Sequence, residues 1–255
     1  MTMRYGFVGA GEITAAIVEG LSTGDDPPEV FLSPRGRAVS AALAERFPNV
    51  RVCASNQEVL DHAPVVVLGV PAPVARDVLA ELAFRLEHVL VSATSGVPVE
   101  RLRAWSAPAG EVVRSIPLPQ ATRRRSLTVV YPENAAAREL FTRVGSVLVP
   151  GDEAALETFL GATATFAAHL DYLATVVDWM AGQGVDHDAA NAFVTHVFGE
   201  LGRSLLERPD SLTVMAARHT TPGGLNEQFR DDLRGDDVPD AVRRALDRIL
   251  ARARE

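Results

Sequence analysis

The chain has 255 residues, 47% hydrophobic and 23% charged, with a net charge of −8 and a pI near 5.3. That composition suits one large or two small domains with a sizeable core, and the acidic balance excludes bulk electrostatic affinity for nucleic acid. A single cysteine, Cys53, excludes an intrachain disulfide, and all 25 basic residues are arginine, which excludes a Schiff-base or general-acid lysine.

Cys53 reads as a small buried apolar side chain. The chain runs straight into Tyr5-Gly6-Phe7-Val8-Gly9 without a basic region, apolar stretch and cleavage site ahead of it. The longest apolar run, around Ala63 to Val74, falls short of the ~20 residues of a membrane helix. A soluble cytoplasmic protein without a membrane partner is expected.

In chain order, β-rich runs at 5–8, 30–33, 50–54, 65–70, 89–93, 112–116, 127–131 and 146–149 alternate with helix-like stretches at 13–22, 38–47, 73–86, 99–105 and 134–143. Several runs are almost wholly apolar, the pattern of parallel strands buried on both faces. Strand–helix alternation implies βαβ units and a doubly wound α/β sheet over residues 1–150. After Pro150-Gly151 the strand signal stops, and 152–183, 188–208, 211–219, 223–233 and 239–254 read as helices of a second domain, 151–255. Asp152 and Asp188 are its N-cap candidates, and Pro239 sits just inside the last helix. The 152–183 segment is apolar around much of its circumference (Phe159, Phe166, Leu170, Leu173, Val176, Val177, Trp179), so a partner subunit is expected to cover it.

Gly9-Ala10-Gly11-Glu12-Ile13-Thr14 lies between the first strand and the first helix. Gly9 permits the tight turn, Gly11 lets a pyrophosphate approach the backbone, and the positive helix end stabilises its charge. Thr14 replaces the usual third glycine or alanine, which predicts a slightly larger helix–sheet spacing. This is the signature of a Rossmann-type dinucleotide-binding domain, with Gly9, Ala10, Gly11, Glu12 and Ile13 on the cofactor. At the end of the second strand, Leu32-Ser33-Pro34-Arg35-Gly36-Arg37 lacks the acidic residue of an NAD-selective site. Ser33, Arg35 and Arg37 offer donors for a 2′-phosphate, so NADP(H) is expected. Val70, Pro71, Ala93 and Pro117, beside the later strand ends, complete the expected cofactor-binding set.

Four stretches resemble the pyrroline-5-carboxylate reductase family over residues 4–250: Gly6-Phe7-Val8-Gly9-Ala10-Gly11; Val91-Ser92-Ala93-Thr94-Ser95-Gly96-Val97 with Glu100-Arg101-Leu102; Val112-Val113-Arg114-Ser115-Ile116-Pro117; and Thr220-Thr221-Pro222-Gly223-Gly224. The resemblance implies an all-helical, interlocked dimerisation domain, reduction of a cyclic C=N bond by NAD(P)H, and a place in proline biosynthesis. It also implies that the Thr-Thr-Pro-Gly-Gly turn holds the substrate carboxylate close to the nicotinamide of a dimer partner. From the residues, Pro222 fixes the loop ahead of a helix, and two glycines leave N–H groups uncovered at the helix start, an anion-binding nest. Thr220, Thr221, Gly223, Gly224 and Asn226 are the substrate-binding candidates.

The chain departs from the family pattern in three places. Leu118-Pro119-Gln120 stands for Asn-Thr-Pro, Leu225-Asn226 for two small hydroxyl residues, and Leu160-Gly161-Ala162-Thr163-Ala164-Thr165 for Ser-Gly-Ser-Gly-Pro-Ala. The cofactor half is retained better than the substrate half, which points to a different substrate or to loss of the parent activity.

His219, ahead of the turn, is a candidate proton donor or a helix-end histidine. Arg123-Arg124-Arg125 is placed by the same reading on the side where the strands end and ligands bind, to attract an acidic substrate or simply to be solvated. The histidines lack metal-ligand spacing, so no metal is expected, and no GxSxG elbow is present.

The leading expectation is an NADPH-dependent reductase of a small cyclic imine carboxylate. An iminium is already a good hydride acceptor, so positioning does most of the work and little acid–base machinery is needed. The alternatives are an NADP(H) oxidoreductase on another C=N or C=O substrate, a deazaflavin included, and a dinucleotide-binding dimer without turnover.

Overall fold

The computed structural model describes residues 3–207 and 210–254. β1 (Arg4–Val8) leads into α1 (Glu12–Ser22), followed by β2 (Glu29–Leu32), α2 (Arg37–Arg46), β3 (Val50–Val52), α3 (Asn56–His62), β4 (Val65–Leu68) and α4 (Ala72–Ala80). Then come β5 (Val89–Ser92), α5 (Val99–Trp105), β6 (Glu111–Ile116), a 3₁₀ turn (Pro119–Arg123), β7 (Ser126–Tyr131), α6 (Ala135–Thr142) and β8 (Gly145–Leu148). All eight strands form one sheet, ordered β3-β2-β1-β4-β5-β6-β7-β8. The pairs are parallel except β6–β7, where the chain reverses. β1 and β4 are neighbours whose successors run to opposite edges. Their carboxyl ends form the switch-point crevice in which doubly wound sheets bind ligands.

The apolar runs are explained by two cores. Along β4, Val65 and Val67 pack into one core with Tyr5, Phe7 and Ile17, while Val66 and Leu68 pack into the other with Val8, Phe31 and Leu79. Alternate side chains point to opposite faces and both faces are covered, so polar positions have no place in the strand. Cys53 belongs to the second core, and burial followed by the Glu58 charge pushes its thiol up to about 11.

Local signals account for the differences from expectation. α3 is an additional helix, marked by a capping box: Glu58 N donates to Ser55 Oγ at 3.1 Å, and Ala54 N donates to Glu58 Oε2 at 2.7 Å. The helix expected over 73–86 stops at Ala80. The chain beyond it is turned by the buried His88, whose Nδ1 accepts from Arg85 N at 3.0 Å while Nε2 donates to Leu60 O at 3.1 Å. Burial and then the Arg85 guanidinium lower the pKa of this imidazole, consistent with a neutral ring satisfied on both nitrogens.

The single helix expected over 152–183 is two, α7 (Glu153–Thr163) and α8 (Thr165–Gly182), broken at Ala164. Asp152 does cap α7, accepting from Ala155 N at 2.7 Å. The helices that follow are α9 (His187–Glu207), α10 (Leu212–Arg218), α11 (Leu225–Gly235) and α12 (Val238–Ala253). α9 is capped by Asp186, which accepts from Ala189 N at 3.0 Å, rather than by Asp188, which lies within the first turn. Arg208, the expected end of that helix, lies outside the described residues.

The chain divides into two compact units, Met1–Leu160 with Ala253–Glu255, and Gly161–Arg252. The first runs past residue 150 because α7 is bound to the sheet. The Arg114 guanidinium, 2% exposed, reaches Glu153 Oε1 at 2.7 Å and Glu157 Oε1 at 3.2 Å, and Leu156 packs on Ile116 and Val129. Glu153 Oε1 also accepts from Val99 N at 2.8 Å, so the same carboxylate holds the start of α5. The second unit has a small core of Val177, Ala190 and Val194 with Leu173, Val176, Met180 and Phe198 packed on it. Phe166, Leu170, Trp179, Phe193, Leu206 and Phe229 are exposed. Among the described residues no helix is long and apolar enough to cross a membrane.

Removing one partner from a buried ion cluster leaves uncompensated charge. Arg114→Met is therefore expected to cost about 3 kcal/mol of stability, read as a lower denaturant midpoint. An unchanged midpoint would show that the two glutamates are solvated without it.

Candidate functional site

The turn after β1 is fastened on four sides. Gly9 has φ +100°, and a Cβ there would lie 2.5 Å from the Gly69 carbonyl oxygen at the exit of β4. Gly9 N donates to Ser33 Oγ at 3.0 Å, and Thr14 Oγ1 donates to Gly9 O at 2.7 Å. Gly36, at φ +79°, brings the β2–α2 loop against the turn, where a Cβ would lie 2.5 Å from Ala10 O. Gly11 is the opposite case: a Cβ there meets nothing within 4 Å. It is the N-cap of α1, with no side chain capping the helix. Open space ahead of uncapped N–H groups is what a pyrophosphate requires, so the cradle fits a dinucleotide. Ala10 is buried, Glu12 exposed and Ile13 half-buried around it.

One expectation about this cleft is corrected. Ser33 is completely buried and its hydroxyl holds the turn, so it is not placed to reach a 2′-phosphate. Thr14, in place of the third glycine or alanine, closes the turn through its hydroxyl. Arg35 and Arg37 are exposed and make no hydrogen bond or ion pair within the described residues. They stand one on each side of Gly36, two cations available at the rim.

The other candidates sit at neighbouring strand exits. Ala93 N donates to Leu68 O at 2.8 Å. Thr94, which sequence reasoning left out of the site, donates to Val70 O at 2.9 Å and so ties the loops after β4 and β5 together. Pro71 caps α4 and is exposed, and Pro117 directly after β6 is buried.

Arg123-Arg124-Arg125 is not on the ligand side. The 3₁₀ turn lies on the C-terminal half of α1, where a Cβ on Gly20 would be 2.1 Å from Ala121 O. Arg124 approaches Gly24, beyond the far end of that helix, and donates to Arg143 O at 3.0 Å. An 11-residue helix is about 16 Å long, which separates these arginines from the glycine turn.

In the helical unit, the residues singled out do assemble. His219 is the C-cap of α10, and its carbonyl accepts from Asn226 Nδ2 at 3.0 Å. Thr220 Oγ1 donates to Ala216 O at 2.8 Å and accepts from Arg230 Nη1 at 3.4 Å. His219, Thr220, Asn226 and Arg230 line the polar end of a cavity of about 670 Å³ whose other walls include Phe198, Leu201 and Met215. Gly223 adopts φ +72°, and Gly224 is the N-cap of α11. The nest is nonetheless filled from within. Gly223 N donates to Glu227 Oε2 at 2.7 Å, and Gly224 N donates to Thr221 O at 2.8 Å. The expectation of uncovered glycine N–H groups is thus corrected, since it took no account of Glu227 one turn into the helix.

A family model described as NADP oxidoreductase, coenzyme F420-dependent, matches residues 4–96, the glycine turn included. Over 265 aligned residues the chain is 26% identical to a pyrroline-5-carboxylate reductase of Pseudomonas aeruginosa, covering 100% of this chain and 97% of that one. Among solved structures, a pyrroline-5-carboxylate reductase from Coxiella burnetii superposes with TM-score 0.84 at 21% identity, covering 99% and 98% of the two chains. The Plasmodium falciparum pyrroline carboxylate reductase with NADP bound gives TM-score 0.82 at 14% identity, covering 99% and 97%. The glycine turn at the sheet's switch point and the helical second unit define a Rossmann-class fold followed by a helical domain, the fold of these solved reductases. Within that fold the chain is similar over its whole length to pyrroline-5-carboxylate reductases, as a divergent relative.

The glycines make separable demands. Gly11→Val fills open space, so its thermal midpoint should be unchanged while calorimetric dinucleotide uptake weakens at least about tenfold. Gly36→Val forces a β-branched residue into a left-handed conformation against Ala10, so it should lower the midpoint as well. Equal binding by Gly11→Val and the parent chain would show that the ligand does not approach this backbone.

Proposed function

We propose that the chain is an NADPH-dependent reductase of a small cyclic imine carboxylate, pyrroline-5-carboxylate being the substrate that its relatives' names give. The observation that carries the proposal is the open, uncapped helix start at Gly11 with Arg35 and Arg37, unpaired among the described residues, at its rim. In this reading the N–H groups of the first turn of α1 take the pyrophosphate, and the two guanidiniums take the 2′-phosphate. Val70, Pro71, Ala93 and Pro117 line the remainder of the cleft. When bound, the reduced nicotinamide supplies the hydride.

The chain's own residues bind and orient. Thr220, Thr221, Gly223, Gly224 and Asn226 receive the substrate, with His219 beside them. An iminium carbon accepts hydride without prior proton transfer, which suits a chain that has no lysine. Reducing a carbonyl would require a proton donor for the alkoxide.

The helical unit is assigned to dimerisation as well as to substrate. Trp179 at 64% exposure and Leu206 at 84% belong to an apolar surface too extensive for a solitary subunit, and a second copy of the chain covers it. The reading is thus of a homodimer or larger homo-oligomer, with the cytoplasm as its location.

NADPH oxidation should be observed with pyrroline-5-carboxylate, and sedimentation should give a mass of at least two chains. Tight NADPH binding without oxidation on any of a panel of cyclic imines would replace the reductase by a binding protein. Replacing Arg35 and Arg37 together by serine should raise the KM for NADPH roughly tenfold to a hundredfold and leave that for NADH unchanged, as loss of two charge-assisted contacts requires.

A further inference from the structure

The turn that would receive a substrate carboxylate already carries one. Glu227 Oε2 accepts from Gly223 N at 2.7 Å, and its partner oxygen Oε1 lies 3.9 Å from Arg230 Nη2. Glu227 occupies the third position of α11, where a carboxylate gains from the helix dipole and from reaching back to an N–H ahead of the helix. Arg230 extends the chain of contacts to Thr220 Oγ1, on the wall of the cavity shared with His219 and Asn226. The Glu227 side chain keeps 35% of its exposure, so solvent and solutes reach it.

One N–H serves one oxygen well, and two carboxylates brought to the same donor repel. A carboxylated substrate must displace Glu227 or do without this contact. A cyclic imine lacking a carboxylate meets no such competition, and as an iminium cation it is favoured by the resident negative charge. We propose that Glu227 is a specificity-determining residue: it fills the turn's carboxylate position, so that the substrate's own carboxylate contributes little and carboxylate-free cyclic imines are accepted. This rests on the imine-reductase reading and narrows its substrate class.

The test compares kcat/KM for pyrroline-5-carboxylate and for 1-pyrroline in the parent chain, Glu227→Ala and Glu227→Gln. The parent ratio should lie near one. In Glu227→Ala it should rise about tenfold or more, the worth of one hydrogen bond to a charged group, through a lower KM for the carboxylated imine. Glu227→Gln keeps an acceptor for Gly223 N without the charge and should rise less. Were Glu227 only a helix cap, the thermal midpoint would fall and both substrates would change together; a ratio that stays constant in both variants overturns the proposal and leaves the reductase reading intact. Calorimetric titration with L-proline and with pyrrolidine, NADP present, supplies a readout that needs no turnover. Tighter L-proline binding confined to the variants supports the proposal even if no imine is reduced, in which case the reductase reading alone fails. Unchanged L-proline binding counts against Glu227.

Discussion

The first unit depends on a close approach of two backbones, where the exits of β1 and β4 meet at Gly9 and Gly69. A Cβ on Gly9 would lie 2.5 Å from the Gly69 oxygen, and one on Gly69 would lie 2.8 Å from Thr14 Oγ1. No side chain fits on either side, so the two strands part at that point and leave a crevice above it. Everything that shapes the crevice is hung on the same contact. Ser33 grips Gly9 N from β2, Thr14 closes onto Gly9 O from α1, and Gly36 brings its loop onto Ala10. The site is rigid because each connection is a short hydrogen bond or a backbone contact rather than a long side chain.

Much of this was legible beforehand, because the physics that makes a strand also writes a repetitive pattern. Val65 to Leu68 must be apolar at every position when both faces are covered, and several such runs, among eight β-rich ones, were read from the sequence. The spacing of Gly9 and Gly11 carried the phosphate turn for the same reason: backbone geometry restricts residue choice. Side-chain roles were less legible. Ser33 looked like a ligand donor, since a hydroxyl at the end of the second strand serves a ligand and a backbone N–H equally well. Its complete burial decides between them. The Ser55-x-x-Glu58 box did mark α3, whereas Asp186 and Asp188 were equivalent as letters and only the turn geometry selects Asp186.

Long-range pairings left no local trace at all. Nothing in the sequence near Arg114 names Glu153 and Glu157, which lie 39 and 43 positions away. Yet that cluster determines where the sheet unit ends, because it binds α7 to β6 and, through Val99 N, to the start of α5. A large charged residue in the middle of a strand is costly unless its partners are present. Its presence in β6 between Val113 and Ser115, four residues into a run that includes Val112, Val113 and Ile116, was itself the available signal, though it identified no partner.

The two units contrast in how completely they bury what they expose on unfolding. The sheet unit satisfies its apolar runs within one chain. The helical unit leaves aromatic residues such as Trp179 and Phe193 in solvent around a core of a few aliphatic side chains. The same economy is visible at the Pro222 turn, where the chain supplies its own anion. At Gly11 the acidic residue of the first turn, Glu12, stands at the first helical position, is exposed and caps nothing, so the N–H groups are kept for a ligand. At Gly223 the glutamate stands at the third helical position and reaches back to satisfy an N–H internally. The two glycine turns are alike in sequence style and opposite in state, and the difference lies in one carboxylate three positions into a helix. Recognition of a substrate anion therefore cannot be inferred from the glycines alone; it depends on what the following turn of helix places in front of them.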